Sequence, residues 1–168
     1  VIYLPNKTKP FTGNYLCKGG YSKSRGEIKD GIRDCKWSLW SGKNKIKVNY
    51  KDGKIDGKRT EWYENGNKKE ETDYKDGKKD GYLIYWYENG RKYYVEDWKD
   101  DKRDGRFAEW YQNGQLKMAG HYKSNLKDGN WIYWHENGQK DWDINFKDGK
   151  INGELMSWNA AGETIWKL

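Results

Sequence analysis

The sequence predicts an all-β fold, a single elongated antiparallel sheet of stacked β-hairpins with a 24-residue repeat. Three markers recur at that spacing: an aromatic residue, a glycine seven positions later, and a second glycine that follows an aromatic pair. The opening aromatic residues are Tyr50, Tyr74, Trp98, Tyr122 and Phe146. The two sets of glycines begin at Gly57 and Gly66. A spacing this strict, without insertions, is typical of stacked repeat proteins.

The composition favours a folded but thin protein. Hydrophobic residues make up 34% of the 168 residues and charged residues 35%, which alone is typical of disordered chains. The aromatic content of 17%, with 11 Trp and 14 Tyr, argues against disorder because large rings bury much area per residue. We therefore expect a folded sheet without a thick aliphatic core.

The repeat divides the chain into two regions. Residues 50–168 form five hairpin repeats that start at 50, 74, 98, 122 and 146. Residues 1–49 form a divergent, basic N-terminal cap with one degenerate repeat, in which Gly31 and Tyr50 are 19 residues apart where Gly57 and Tyr74 are 17 apart. Such departures are expected at the end of an array, where one side of the terminal unit faces water.

Each regular unit contains two strand-like segments. In the second unit these are 82–87 and 91–96, which are rich in aromatic and β-branched residues. The segment 88–90, Glu-Asn-Gly, separates them, and the seven residues 75–81 connect the unit to the one before. Because Asn-Gly tolerates the left-handed backbone of a tight turn, each unit is predicted to be a β-hairpin.

The period of two along a strand assigns the repeated tryptophans to one face. They share this face with Thr60, Ile84 and their equivalents. A tryptophan at the same place in every unit is most simply the structural spine of a thin fold, so we expect this face to be the packed one. The predicted structural residues are Trp62, Trp86, Trp110, Trp134 and Trp158.

The opposite face changes from unit to unit and is therefore the better candidate for recognition. Tyrosine and tryptophan are favoured anchors in protein interfaces. Flat rings also stack on sugars, so carbohydrate binding by the aromatic rows is an alternative. The predicted partner-binding residues are Tyr63, Tyr85, Tyr87, Phe107, Tyr111, Trp131, Tyr133 and His135.

The net charge of +7 comes from the N-terminal region. Residues 1–49 contain 11 Lys/Arg and 3 Asp/Glu, so an anionic partner, above all anionic lipid, is expected to bind there. A solvated sheet edge is the other interpretation. Recognised nucleic-acid-binding motifs are absent from the sequence, which argues against that class of partner. The candidate anionic-partner patch consists of Lys18, Lys23, Arg25, Lys29, Lys43, Lys45 and Lys47.

Two cysteines, Cys17 and Cys35, lie in the divergent region. They are predicted either to form a disulfide, which requires an oxidising compartment, or to remain free thiols in the cytosol. The sequence has no apolar run long enough to span a membrane and no signal-peptide pattern. It begins at Val1 rather than methionine, which is compatible with a removed leader or a trimmed chain. Together with the disulfide, this favours the cell envelope or periplasm over the cytoplasm, although the compartment stays open.

The sequence shows no constellation that predicts catalysis or a cofactor. The histidines, His121 and His135, occupy different repeat positions and lack neighbours with metal-ligand spacing. Paired aspartates such as Asp52 and Asp56 suggest calcium, but the same loops carry about as many lysines and lack a bidentate glutamate. We therefore expect no enzymatic activity, no cofactor and no metal.

The repeat resembles the bacterial variant of the MORN repeat. The resemblance rests on Asp76-Gly77-Lys78, Gly81, Trp86-Tyr87 and Glu88-Asn89-Gly90, and on comparable sets in the other units. It covers residues 50–168 closely and 1–49 weakly, and the last unit departs at 159–162 as a C-terminal cap does. The resemblance implies a ribbon of β-hairpins that binds a macromolecule without catalysis, in contact with proteins or membranes. Similar proteins are commonly labelled antitoxin-like, which implies neutralisation of a protein partner.

Overall fold

A computed structural model describes residues 8–19, 22–41 and 43–167. In these residues fourteen strands follow one another in the sheet in chain order, and neighbouring strands are antiparallel. Among the described residues there is no helix, so the predicted fold class of an antiparallel hairpin sheet is confirmed.

Clustering of backbone contacts divides the chain into two compact units, Val1–Asp80 and Gly81–Leu168. The first six strands lie in the first unit, and the boundary falls within β7. The strands are β1 Gly13–Gly19, β2 Ser22–Lys29, β3 Ile32–Ser41, β4 Asn44–Lys51, β5 Lys54–Trp62, β6 Lys68–Lys75, β7 Lys78–Trp86, β8 Lys92–Lys99, β9 Lys102–Trp110, β10 Leu116–Lys123, β11 Leu126–Trp134, β12 Lys140–Lys147, β13 Lys150–Trp158 and β14 Thr164–Lys167.

The Asp-Gly connections are two-residue hairpin turns. Asp76 and Gly77 have φ angles of 50° and 88°, so both central residues are left-handed, as a type I′ turn requires. The predicted seven-residue connection 75–81 is therefore wrong, because the strands continue to Lys75 and restart at Lys78. The glycine at the end of that stretch instead belongs to a strand.

The mid-unit glycines allow bulges in the strands. Gly105 has a φ of 126° and lies where the β8–β9 register shifts between Glu96 and Trp98. A Cβ at Gly105 would lie 2.7 Å from the Cβ of Asp97. The repeated glycine seven positions after the opening aromatic residue therefore marks a bulge where two strands approach closely, and not a turn.

The aspartates that precede the mid-unit glycines join successive hairpins. The Asp56 carboxylate accepts a hydrogen bond of 3.1 Å from the backbone N–H of Asp76, in the next Asp-Gly turn. The Asp104 carboxylate makes the equivalent contact to the N–H of Ser124 at 3.3 Å. These hydrogen bonds give the repeated aspartates a structural role that involves no metal ion.

In the first unit, the core lies on the face that bears Trp37. Trp37 is 1% exposed and packs with Ile28 and Val48. Its ring covers Gly26 on the neighbouring strand, where an added Cβ would lie 2.3 Å from a ring carbon. Its Nε1 donates a hydrogen bond of 2.9 Å to the carbonyl of Glu27.

The second unit repeats this arrangement at Trp131. Trp131 is 0% exposed and its ring covers Gly120, again with a ring carbon 2.3 Å from an added Cβ. Its Nε1 donates to the carbonyl of His121 at 3.0 Å. We call the side of each unit that bears Trp37 or Trp131 its core face, and the opposite side its tryptophan face.

The prediction that the repeated tryptophans mark the packed face is wrong. These side chains are half-buried, whereas the fully buried side chains of the second unit lie on the core face. The alternation in the sequence shows which residues share a face, but both faces carry aromatic rings. The packed side is decided by small residues such as Gly120, which leave room for a ring on the adjacent strand. The buried apolar residues of this row are Leu83, Phe107, Trp131 and Leu155.

Candidate functional site

A continuous stack of aromatic rings crosses the core face of the second unit. Tyr85 stacks on Tyr94 with ring centroids 4.8 Å apart, and Tyr94 lies 6.2 Å from Phe107. Phe107 stacks on Trp131 at 5.6 Å, and Trp131 lies 6.5 Å from Tyr133. Phe107 and Trp131 are buried, whereas the three tyrosines are half-buried. The stack therefore has a buried centre and accessible ends.

Two predicted partner-binding residues belong to the centre of this stack. Phe107 is 9% exposed and Trp131 is 0% exposed, so neither presents a free surface to a partner. Their assignment as contact residues is corrected, because each ring is covered by its neighbours. Tyr85 and Tyr133, which were also predicted, keep accessible surface.

A lysine is packed among these rings. The Lys127 ammonium lies 4.3 Å from the ring centroid of Trp131, 5.1 Å from that of Phe146 and 5.2 Å from that of Tyr133. It also donates a hydrogen bond to the Tyr133 hydroxyl. The sequence analysis did not identify this residue. A basic residue recurs five positions after the opening aromatic residue in three of the five units, at Lys79, Arg103 and Lys127, but this recurrence does not indicate a place among rings.

Arg103 occupies the equivalent position one repeat earlier. Its guanidinium lies 5.3 Å from the Tyr122 ring and 5.8 Å from the Trp98 ring. Its Nε also lies 2.9 Å from Oε2 of Glu96, which is 2% exposed. A buried carboxylate needs such a charged partner because burial penalises its ionised form. The core face of the second unit therefore combines stacked rings with charges that are already paired.

The predicted residues Tyr87, Tyr111 and His135 have a structural role at the Glu-Asn-Gly turns. The Tyr87 hydroxyl donates 2.8 Å to the carbonyl of Trp110, and the Tyr111 hydroxyl donates 2.8 Å to the carbonyl of Trp134. His135 Nε2 lies 2.9 Å from the carbonyl oxygen of Trp158 and must carry the proton, since a carbonyl only accepts. Burial raises the pKa of the Tyr87 and Tyr111 hydroxyls, which keeps them protonated as donors.

The asparagines of these turns make a second link between hairpins. The Asn113 side-chain carbonyl accepts 2.8 Å from the N–H of Gln115, while its amide donates 3.0 Å to the carbonyl of Glu136. Asn137 repeats the second contact at 2.7 Å to the carbonyl of Ala160. In the last unit Ala161 takes this asparagine position, which ends the series. Asn159, at the position of His135, bonds Glu163 and its own turn instead.

In the first unit, ion pairs lie on the core face of β5 and β6, where the second unit has stacked rings. The Arg59 guanidinium lies 2.6 Å from Glu70 and 2.8 Å from Glu61, and Lys69 lies 2.8 Å from Glu61. The ring of Tyr63, the predicted contact residue of this unit, lies 6.0 Å from the Lys69 ammonium. Burial raises the pKa of Glu61, but the hydrogen bonds from Lys69 and Arg59 outweigh it and lower the pKa overall.

The anionic-partner patch lies largely on the tryptophan face of the first unit. Lys23, Arg25 and Lys47 are exposed there, and Lys45 lies 5.2 Å from the ring centroid of Trp62. Lys29 lies on the same face of β2 as Lys23 and Arg25, because side chains alternate between the two faces of a strand. Two further members differ: Lys43 lies 3.8 Å from the Glu64 carboxylate, and the side chain of Lys18 is outside the described residues.

The predicted disulfide is not formed in this structure. Cys35 has a free, exposed thiol, and the side chain of Cys17 lies outside the described residues. The backbone of Cys17 pairs with Ser24, and Ser24 pairs with Leu39, four positions from Cys35. Two strand spacings and four residues correspond to about 10 Å across and about 13 Å along the sheet. A disulfide spans only about 5.5 Å between Cα atoms.

Within residues 8–19, 22–41 and 43–167, no group of three His, Cys, Asp or Glu side chains is placed to hold a metal ion. In the same part of the chain, no helix is long and apolar enough to cross a membrane. The candidate site consists of the half-buried tyrosines at the ends of the aromatic stack, Tyr85, Tyr94 and Tyr133.

Comparison with protein families identifies the repeat. The family model of the MORN repeat variant matches residues 55–76, 103–124 and 127–148. Each match covers two strands and the Glu-Asn-Gly or Gln-Asn-Gly turn between them, or its equivalent. No curated protein matches the chain.

Proposed function

We propose that this chain, which contains three matched MORN-variant repeats, is a non-catalytic scaffold that binds a protein partner through the core face of its second unit. MORN repeats are non-catalytic and generally serve binding or scaffold roles, which supports the scaffold role of this chain. We further propose an antitoxin-like role, in which binding of the chain blocks the activity of its protein partner.

The observation that carries the proposal is the accessibility of the aromatic stack at its ends. Tyr85, Tyr94 and Tyr133 are half-buried, and rigid rings offer a partner a large contact area at a low cost in side-chain entropy. The rings of Tyr85 and Tyr94 stack with their centroids 4.8 Å apart, so each ring restricts the other. Pre-ordered rings of this kind lose little freedom on binding, which favours affinity.

The sequence of the repeats also supports a role beyond folding for these tyrosines. The position of Tyr85 and Tyr133 is occupied by Glu61, Glu109 and Ser157 in the other units. The hairpin therefore forms with a small or charged residue at this position. The backbone does not require a ring there, which supports a role for these rings in recognition.

An affinity capture tests the proposal. The full chain is immobilised and exposed to the soluble and membrane fractions of its native cell at low and at high salt, and bound species are identified by mass spectrometry. We expect one protein to be retained at high salt, because contacts between aromatic rings are screened little by ions. Its activity should fall when the chain is added.

Failure of the proposal has a defined outcome in the same experiment. Recovery of lipid or nucleic acid alone, with loss as salt rises, would contradict a protein partner bound by aromatic rings. Retention of a protein whose activity is unchanged by the chain would support the scaffold role and contradict the antitoxin-like role. The alternatives drawn from the sequence, binding of anionic lipid and of carbohydrate, stay predictions.

A further inference from the structure

The tryptophan face of the first unit contains a basic cleft that the proposed function does not use. The cleft has a volume of about 800 Å³ and lies over strands β1 to β5. Its lining includes the exposed side chains of Arg25, Lys36 and Lys47. Asn14, Ser38, Asn49 and Thr60 add uncharged polar groups, and Glu27 and Lys58 complete the charged lining.

The strand register brings the three basic residues together. Arg25 is opposite Ser38, and Ser38 is opposite Lys47, so Arg25 and Lys47 lie in one row two strands apart. Lys36 lies in the next row of the same face, opposite Asn49. Two strand spacings correspond to about 10 Å, and the offset between rows on one face is about 7 Å. These separations suit successive phosphates of an extended chain.

These three cations are not neutralised by the protein. In the part of the chain that the structure describes, no acidic side chain lies within ion-pair distance of Arg25, Lys36 or Lys47. Lys58, at the border of the cleft, contrasts with them because it lies 2.8 Å from Glu71 and 3.2 Å from Asp73. The field of the cleft is therefore available to an anionic ligand.

A row of alternating lysines and tryptophans borders the cleft. Lys23 is opposite Trp40, Trp40 is opposite Lys45, and Lys45 is opposite Trp62. The Lys23 ammonium lies 5.2 Å from the Trp40 ring centroid, and Lys45 and Lys47 lie 5.2 and 5.7 Å from that of Trp62. Two rings about 10 Å apart thus stand beside the three cations of the cleft.

The repeat itself does not demand this charge. The position of Lys47 is taken by Glu71 in the next repeat, and by Val95, Ala119 and Asp143 in the later ones. The tryptophan position, in contrast, is kept throughout. The basic residues are therefore a local addition to a tryptophan row that the fold already has.

We propose that this cleft binds single-stranded nucleic acid of a few nucleotides. Arg25, Lys36 and Lys47 would contact phosphates, and bases would stack on Trp40 and Trp62 in place of the lysine ammonium groups. Single-strand binding proteins combine a basic groove with aromatic platforms in this way. A flat bilayer surface does not fill a cleft, and an acidic peptide makes no use of the rings. The absence of a known nucleic-acid motif is compatible with this site, because stacking and phosphate contacts need no sequence signature.

The test uses a fluorescein-labelled dT15 oligonucleotide and the full chain, with fluorescence anisotropy as the readout. We expect binding at about 50 mM salt, with a log–log salt slope near −2, since three neutralised phosphates of a single strand each contribute about −0.7. The triple variant Arg25→Gln, Lys36→Gln, Lys47→Gln should lose at least about tenfold in affinity and most of the slope. Trp40→Leu with Trp62→Leu should weaken binding by about tenfold and keep the slope.

Matched variants in the second unit control for net charge and for loss of a ring. Lys92→Gln, Lys123→Gln and Lys147→Gln remove three exposed lysines, and Trp110→Leu with Trp134→Leu removes two equivalent tryptophans. Both controls should bind dT15 as the unaltered chain does. If the control triple variant weakens binding as much as the cleft variant, net charge rather than the cleft is responsible and the proposal fails.

Other outcomes would also overturn the inference. Absence of dT15 binding at about 50 mM salt contradicts it directly. Equal competition by a poly-glutamate peptide of the same charge would identify an acidic peptide site. Binding to phosphatidylserine vesicles without binding to dT15 would identify a membrane-contact surface. None of these results bears on the core-face tyrosines, so the proposed function can fail or hold independently.

Discussion

The Tyr87 hydroxyl donates a 2.8 Å hydrogen bond to the carbonyl of Trp110, 23 residues further along the chain. The contact recurs between Tyr111 and Trp134, and His135 makes its equivalent to Trp158. Each joins a Glu-Asn-Gly-type turn to the strand end of the next hairpin. The aromatic residue that precedes each such turn therefore stabilises the stacking of hairpins, and this accounts for its recurrence in the sequence.

Removal of one hydroxyl from this series should lower stability. Tyr111→Phe keeps the ring and leaves the Trp134 carbonyl without its donor, so we expect a loss of about 1 kcal/mol in the free energy of unfolding, measured by urea denaturation. Tyr93→Phe, which removes a hydroxyl from a more exposed ring, should change stability by less than about 0.5 kcal/mol. Equal losses in both variants would contradict the role of the Tyr111 contact.

The glycine beneath Trp131 should be intolerant of a side chain. Gly120→Ala places a Cβ 2.3 Å from a carbon of the ring, so the ring or the strand must move, at an expected cost of about 2 kcal/mol or more. The variant Gly120→Ala with Trp131→Leu should recover part of that loss. The next repeat already has a leucine at the position of Trp131, because Leu155 on β13 pairs there with Ile144, which stands at the position of Gly120. The free energy of unfolding of each variant is measured by urea denaturation. No recovery in the double variant would show that the clash with the ring does not cause the loss of stability.

The hairpin turn at residues 100–101 has no glycine at its second position. Asp101 has a φ of 62° at the second position of its hairpin turn, where Gly53, Gly77 and Gly149 stand in other turns. A left-handed backbone costs a non-glycine residue about 1 kcal/mol, so Asp101→Gly should raise the thermal midpoint. Gly77→Ala should lower it for the same reason. A decrease with Asp101→Gly would contradict this assignment of strain.

The ion network around Glu61 should make stability depend on acid pH. Lys69 and Arg59 hold the pKa of Glu61 below its ordinary value despite its burial. A carboxylate whose pKa is lower in the folded chain stabilises the fold above the unfolded pKa, and this stabilisation is lost as pH falls through the folded pKa. Urea denaturation between pH 7 and about pH 3 should show this loss, and Glu61→Gln should reduce its size. An unchanged pH profile in Glu61→Gln would exclude Glu61 as a contributor.

The regular spacing explains why the hairpins could be predicted and the packed face could not. The left-handed turn at Asp76-Gly77 and the turn at Gly90 follow directly from residue types that tolerate positive φ. The burial of Phe107 and Trp131 depends on which neighbouring position is small, as at Gly120, and therefore on contacts between strands. Those contacts require the bulged register, which periodicity alone does not supply.

The candidate binding residues were predicted only in part for the same reason. The tyrosines at the ends of the stack, Tyr85 and Tyr133, were identified because their positions vary between units. The roles of Tyr87 and Tyr111 depend on hydrogen bonds to carbonyls one repeat away, which the sequence does not reveal. Lys127 was missed because a lysine in a charged repeat gives no sign that it lies among three rings.

The most direct test of the central claim measures the affinity of the captured protein partner for variants of the second unit. Tyr85→Ser with Tyr133→Ser removes both accessible rings and introduces the residue that Ser157 already provides in the last unit. Tyr82→Ser, on the tryptophan face and 50% exposed, is the matched control. Circular dichroism of each variant checks that the sheet is retained. We predict that the double variant binds at least about tenfold more weakly while the control binds normally, a loss typical of interface anchor residues. Unchanged affinity in a correctly folded double variant would contradict the claim that the core face of the second unit binds the partner.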